Sequence, residues 1–287
     1  TLSSSNIGGI NGLVPSSTLG NPDIKPERTT ELEFGADFSV MGGLATVEAT
    51  LYQQSIEDLI LLVDEAPSSG ASNSWQNGGE METNGLEFAL GLNPTSLIDL
   101  GGLDWNMHMT YYTNESEVTK LTVDPYNYGG FATFLGTYRI EEGWSPTAIV
   151  GADYDANGNH IELGNENPDF RLSFRNSLSF GPLSLSFLID HKEGGHAINL
   201  ANLIYDLGAT TADYEENGSR TAVLGGGSTA PYVESTTYTA LRDLSLTYSL
   251  PAGLTEGYGL SNVQLGLALR NWWMASDYTG LSPEVSQ

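Results

Sequence analysis

Apolar and polar residues alternate along eight segments of the chain. The clearest is the fifth segment, where apolar and polar residues follow one another from Phe170 to Phe180. Successive side chains of a β-strand point to opposite faces, so a period of two predicts strands with one apolar and one polar face. The chain is therefore expected to be all-β.

The predicted strands carry about 9–12 alternating residues, which matches a tilted strand that crosses a membrane, whereas ordinary strands run to about 5–6 residues. A soluble β-sandwich or solenoid also alternates, but its strands do not need this length. The eight predicted strands cover residues 29–41, 44–54, 86–92, 103–111, 170–180, 183–190, 243–250 and 263–270.

The links between these strands differ in length by position. Short links are predicted at residues 42–43, 97–102, 181–182 and 251–260, and long links at 64–79, 120–168 and 195–234. Residues 1–28, rich in Gly, Ser, Asn and Pro, are expected to form a further loop. Short turns at one end and long loops at the other are typical of outer-membrane barrels.

The composition is compatible with a membrane β-barrel and excludes several other kinds of protein and site. Lys and Arg number 10 against 36 Asp and Glu, a formal net charge of −26, which would repel nucleic acid. The chain contains no run of about 18 apolar residues, so no transmembrane helix is predicted. Without cysteine, disulfides and thiolate metal sites are excluded. A mean hydropathy of −0.19 fits a barrel because only every second residue faces lipid.

Charged residues on the polar face are expected to face the barrel lumen. If the barrel is plugged, they would hydrogen-bond the plug or face water more often than they would contact substrate. Arg242 falls on the apolar face by parity, so it either reaches the interface near a strand end or marks a break in register. The predicted inward charges are Glu31, Glu33, Asp37, Glu48, Glu87, Arg171, Arg175, Asp190, Asp243 and Arg270.

No catalytic, cofactor-binding or metal site is predicted, and the substrate-binding residues are unknown. Residues 153–162 resemble the first half of a calcium loop, but Glu162 stands at position ten where that motif needs position twelve. A turn stabilised by glycine is the favoured interpretation. Glu141 and Glu142 are adjacent and would point to opposite faces of an extended chain, so they do not form a catalytic acid pair.

Several ordered motifs resemble the C-terminal barrel of SusC/RagA-like TonB-dependent outer-membrane receptors. They span nearly the whole chain, and together they are specific. The matching stretches are Asn21-Pro-Asp-Ile-Lys-Pro-Glu-Arg28, Asn77-Gly-Gly-Glu-Met-Glu-Thr-Asn-Gly-Leu-Glu-Phe88, Gly164-Asn-Glu-Asn-Pro-Asp-Phe170, Leu241-Arg-Asp-Leu-Ser-Leu-Thr-Tyr-Ser-Leu-Pro251 and Tyr278-Thr-Gly-Leu-Ser-Pro-Glu-Val285.

The resemblance implies a 22-stranded barrel around a plug, of which this chain would supply strands 14 to 21. Residues 1–28 would be an extracellular loop segment, and residues 29–287 the C-terminal portion of the barrel. The plug, the earlier strands and the last strand would then lie outside the chain.

By the same resemblance, the intact protein would import oligosaccharides, or peptides, across the bacterial outer membrane. A SusD-like surface lipoprotein would capture ligand, and TonB would act through the absent N-terminal region. No cofactor and no enzymatic activity are expected, and a secreted glycan-active enzyme would need a convergent acid pair. The alternative is a small self-contained outer-membrane barrel or surface adhesin, because eight strands can close a barrel.

Overall fold

The computed structural model describes residues 2–15 and 17–284, and most of its regular structure is β. In chain order the strands are β1 (Leu2–Ile7), β2 (Ile10–Pro15), β3 (Thr18–Leu19), β4 (Arg28–Val40), β5 (Ala45–Asp64), β6 (Asn73–Leu92), β7 (Leu103–Leu121), β8 (Tyr126–Tyr128), β9 (Thr137–Ile140), β10 (Ala148–Val150), β11 (Gly164–Asn165), β12 (Pro168–Phe180), β13 (Leu183–Gly194), β14 (His196–Ile198), β15 (Val233–Ser235), β16 (Tyr238–Ser249) and β17 (Gln264–Ser276). The α-helices are α1 (Leu200–Leu207), α2 (Ala212–Glu215), α3 (Ser219–Gly225) and α4 (Ala252–Thr255). Within the described ranges, no helix has the length and apolar character that a membrane span requires.

Eight long strands form one open antiparallel sheet in the order β4-β5-β6-β7-β12-β13-β16-β17. Each strand pairs with its predecessor and its successor in this series, which confirms the eight predicted strands. Among the described residues β4 and β17 are not paired with each other, so these eight strands do not close a barrel of their own. The sheet is an arc of a wall.

One face of this arc is apolar from edge to edge. The register aligns one residue from each of the eight strands in a row that crosses the whole sheet. On this face Phe34 is 68% exposed and Leu267 is 57% exposed. Exposing such large apolar side chains to water is unfavourable, and contact with lipid removes this free-energy cost. The row consists of Phe38, Val47, Leu90, Met109, Phe174, Ile189, Leu241 and Trp273.

The adjacent row lies on the opposite face and is mostly polar. Directly paired residues share a face, so the register places all ten predicted inward charges on this one side. Their predicted orientation is confirmed. The row consists of Ser39, Thr46, Gly91, His108, Arg175, Leu188, Asp243 and Arg270.

The register breaks at Arg242, where simple parity would put a cation on the apolar face. In the β13–β16 ladder, Leu241 and Asp243 pair with two consecutive residues and leave Arg242 as the extra residue of a bulge. Its guanidinium therefore reaches Asp190 on the polar face, with Nη2 2.7 Å from Oδ2. The register-break interpretation is confirmed, and Arg242 joins the inward charges.

Strands pair within all four predicted long loops, including residues 64–79 and 1–28. The predicted link 64–79 shrinks to residues 65–72, because the β5–β6 ladder runs on to Asp64 and Asn73. Main-chain pairing does not need an apolar face, so the strands continue where the alternation stops. In residues 1–28, β1 and β2 pair as a hairpin across Gly8-Gly9, both at positive φ, as a two-residue turn requires.

Because the two faces meet different solvents, the same charge should affect stability differently at neighbouring positions in the middle of β12. Phe174→Arg would put a charge on the lipid-facing row and lower the free energy of unfolding by at least about 2 kcal/mol. Ser173→Arg, the matched control, puts the same charge on the polar face, opposite Asp190, and is expected to change stability little. Urea unfolding of the protein in lipid, followed by heat-modifiable gel mobility, measures both. Equal losses would contradict the assignment of faces.

Candidate functional site

The two longest connections, residues 122–167 and 195–237, fold together at one end of the sheet, and we call them the platform. The largest fully buried side chains among the described residues all lie in it, including Ile149, Val150, Leu203 and Tyr232. Short strands β8–β11 form a small sheet of four, and β14 and β15 pair beside helices α1–α3. The loop end of the wall therefore carries a packed body with its own core.

Asp153 joins the two halves of the platform. One carboxylate oxygen accepts the main-chain N–H groups of Thr229 and Ala230, at 2.8 and 3.2 Å, and the other accepts the Ser228 hydroxyl at 2.5 Å. The Thr229 hydroxyl accepts the Ala152 N–H and donates to a carbonyl of the first half. A Cβ on Gly151 would lie 2.2 Å from Thr229, so the close approach requires glycine.

Asp206 is the buried charge of the helical half. Its side chain is fully buried, and it accepts hydrogen bonds from Arg220, Thr211 and Tyr232. Burial alone would raise the pKa of the Asp206 carboxyl, but these three donors outweigh it, and the net pKa lies below the usual range. Burial, together with the bond to Asp206, raises the pKa of the Tyr232 phenol. The carboxylate holds α1 to the chain that follows it.

The acidic motifs considered in the sequence serve as structural caps. Asp155 accepts the main-chain N–H groups of Asn157 and Asn159, both at 2.8 Å, and Gly158 has a positive φ, so residues 153–162 form the predicted glycine-stabilised turn. Glu141 bonds Arg139, whereas Glu142 accepts the main-chain N–H of Leu121. These two carboxylates do not converge. In the part of the chain that the structure describes, no group of three or more His, Cys, Asp or Glu is placed to hold a metal.

Charge on the polar face is separated into two arcs. The arc formed by β4, β5 and β6 is acidic. The arc formed by β12, β13, β16 and β17 contains five cations and also Asp190 and Asp243, which form ion pairs with Arg242 and Arg270. Arg171 pairs directly with Lys192 across the β12–β13 ladder. Such a concentration of cations in this basic arc is unusual in a chain whose net charge is −26. Acidic members are Glu31, Glu33, Asp37, Glu48 and Glu87, and basic members are Arg171, Arg175, Lys192, Arg242 and Arg270.

The segment after β17 is fastened to the basic arc. Arg242 bonds both Asp190 and Glu284, and Lys192, only 6% exposed, donates to the Thr236 hydroxyl and the Pro283 carbonyl. Lys192 was not among the predicted inward charges. Its even spacing from Asp190 would have placed it on the same face.

Two clefts open at the platform end. A cleft of about 420 Å³ lies between the upper part of β7 and residues 143–145 and 162–169, and its lining is mostly polar. A second cleft, of about 260 Å³, is more apolar and lies between Phe131 and α1, with the Tyr138–Glu166 hydrogen bond of 2.8 Å at its wall. We call the first the β7 cleft.

A long-stranded antiparallel wall with one lipid-compatible face and a loop platform defines an outer-membrane β-barrel protein. The chain belongs to the TonB dependent receptor-like β-barrel family, whose model matches residues 1–272. The family predicted from the motifs is thereby confirmed, and with it the location in the bacterial outer membrane.

Curated relatives come from Formosa agariphila. TonB-dependent receptor P26 is 27% identical over 94% of this chain, and TonB-dependent receptor P3 is 25% identical over 96%. The chain spans about a third of the length of these relatives, at 32% of each.

Solved structures share the fold. The structure of the RagAB peptide transporter superposes with a TM-score of 0.74 at 20% identity, covering 99% of this chain and 35% of that one. The RagAB peptide importer in its "closed-closed" state gives a TM-score of 0.71 at 21% identity, covering 99% and 36%. At this identity the likeness shows the fold alone.

Removing the buried carboxylate should loosen the platform without disturbing the wall. Asp206→Asn leaves Arg220 without its charged partner, and we expect the platform to lose about 2–3 kcal/mol. Because the folded pKa lies below the unfolded value near 3.9, the stabilisation is complete above that pH and is lost as pH falls through the folded pKa. Hydrogen–deuterium exchange of residues 200–226 measures both effects.

Glu215→Gln, on the exposed surface of α2, is the control for the loss of one negative charge. Unchanged exchange in Asp206→Asn, or acid opening that is the same in both proteins, would contradict this role.

Proposed function

We propose that the intact protein is a TonB-dependent importer and that this chain forms part of its barrel wall and its ligand-facing loops. Family membership supports this proposal, since the matched model describes the barrel of TonB-dependent receptors. The observation that carries it is the combination of a lipid-compatible wall with a packed platform at a single end. A wall alone would serve any barrel, whereas a folded platform offers a surface for capture.

In this proposal the platform faces the outside of the cell, because long connections of outer-membrane barrels lie there. Residues 1–28 would be an extracellular segment, and residues 29–287 would supply strands 14 to 21 of a 22-stranded barrel. Its edges β4 and β17 would pair with the remaining strands. TonB would act from the opposite side, through a plug outside this chain.

Cargo of the proposed importer is an oligosaccharide or a peptide. RagAB, one of the structural neighbours, is a peptide transporter, and that supports the peptide alternative. The clefts at the platform end are lined by carboxylates, amides and aromatic rings, groups that bind either class. We assign the chain no enzymatic step, because the adjacent acid pair that was considered, Glu141 and Glu142, is engaged by separate partners, Arg139 and the Leu121 N–H.

The proposed partner is a SusD-like surface lipoprotein that covers the platform. Helix α1 exposes Ile204, Tyr205 and Leu207, at 49%, 59% and 51%. Neighbouring exposed apolar side chains on an otherwise acidic, water-facing body are the kind of surface that a protein partner covers.

Energised uptake tests the proposal directly. Cells that carry the intact protein are given fluorescent peptides and, separately, fluorescent oligosaccharides. We expect accumulation of one of these classes in the periplasm, and we expect a protonophore or loss of TonB to abolish it. Accumulation that persists without TonB, or identical accumulation in cells without the protein, would rule out the proposed activity.

The lipoprotein contact makes a separate prediction. The double variant Ile204→Ser and Tyr205→Ser removes exposed apolar area from α1, and we expect at least about a tenfold drop in the lipoprotein that co-purifies. Tyr258→Ser is the matched control, because Tyr258 is 83% exposed at the opposite end of the wall. Quantitative mass spectrometry of the purified complex measures the ratio. Equal recovery from both variants would exclude α1 as the contact.

A further inference from the structure

At the platform end of the wall, β7 and β12 are no longer paired. The ladder between these strands ends at the Tyr112–Arg171 pair, although β7 continues to Leu121. Farther along β7, Val118 again makes main-chain hydrogen bonds on this side. Its N–H donates to the Trp144 carbonyl, and its carbonyl accepts the Gly143 N–H. Between these two points lies the β7 cleft.

The main chain of β7 is directed into this opening. Val118 uses its N–H and its carbonyl on the side away from β6, so Ser116 and Asn114, two and four residues earlier, point the same way. The register of β7 with β6 is unbroken over this stretch. Among the described residues, neither Ser116 nor Asn114 has a ladder partner on the cleft side. Two N–H groups and two carbonyls therefore line the cleft at the spacing of a strand.

Side chains around this edge are acidic. Glu115 and Glu117 share one face of β7, and Glu162 and Asp169 come from the opposite rim. None of the four carboxylates forms an ion pair with a described residue. The cleft thus combines an open strand edge with uncompensated negative charge.

We propose that the β7 cleft binds an extended basic peptide, which adds to β7 as an extra strand. The span from Tyr112 to Val118 is about 20 Å at strand rise. The Thr113 hydroxyl donates to the Asp169 carbonyl at the lower end, so the open edge runs from Asn114 to Glu117 and can pair with about four extended residues. Main-chain pairing would provide affinity independent of sequence, and the carboxylates would select lysine or arginine side chains. A glycan has no repeating N–H and carbonyl edge of this kind.

This inference names a ligand class for the proposed importer, but its test needs no energised transport. The probe is the acetylated, amidated peptide Lys-Val-Lys-Val-Lys with a fluorophore, and anisotropy is measured on the intact protein purified in detergent. Two further probes have N-methyl groups on the odd or on the even residues, so each lacks the donors of one edge. We expect one methylated peptide to bind like the parent and the other at least about tenfold more weakly.

Variants of β7 test the same site from the protein side. Ser116→Pro removes an N–H that points into the cleft and is expected to weaken binding at least about tenfold, without removing a bond to β6. Ser116→Ala is its control, because it removes only the hydroxyl that contacts Thr83. Glu115→Gln with Glu117→Gln should weaken binding about fivefold. Glu215→Gln with Glu216→Gln, the same charge change at the C-terminal end of α2, should not.

Several outcomes would overturn the inference. They are equal binding of both methylated peptides, equal weakening of both, competition by neutral maltohexaose, or equal affinity for Glu-Val-Glu-Val-Glu. The charge variants keep the inference testable if Ser116→Pro fails to assemble. Loss of TonB-dependent uptake with intact peptide binding would refute the import proposal and leave the cleft assignment standing.

Discussion

Hydrocarbon offers no partner for a main-chain N–H or carbonyl, and the whole sheet depends on this constraint. A strand can cross only if each of these groups pairs with a neighbouring strand. The eight long strands satisfy it by pairing in sequence order, each with the next. The side chains of each face then have the polarity of the solvent they meet. The row from Phe38 to Trp273 is apolar and faces lipid, and the row beside it carries charge.

The same constraint explains the irregularities. At Arg242 the ladder accepts a bulge, which costs local pairing but turns a guanidinium away from lipid and towards Asp190. Between β7 and β12 the ladder ends after Arg171. Such a gap leaves main-chain groups without a strand partner, which water can compensate and hydrocarbon cannot. The gap therefore occurs at the platform end. There Trp144 and its neighbours replace the missing strand only in part.

Sequence alone predicted most of the wall, because lipid and water impose a period of two that the residues from Phe170 to Phe180 display. It did not predict the platform-side ends of β5 and β6. In β6, Gln76 and Glu82 stand among other polar residues, and in β5 the run from Leu59 to Val63 is continuously apolar, so alternation carries no signal in either. The platform core was also missed. Ile149 and Val150 lie in a strand of three residues, too short for any period to show. Contacts such as Asp153 with Thr229 join distant segments that no local pattern connects.

Strand β12 separates lipid from water residue by residue. Because the chain contains no cysteine, single cysteines can be introduced from 171 to 178 and spin-labelled in lipid bilayers. Collision rates with oxygen and with a water-soluble nickel complex then report the solvent at each position. Oxygen maxima are expected at 172, 174, 176 and 178, and nickel maxima at 171, 173, 175 and 177. A flat profile, or nickel contact at every position, would contradict it.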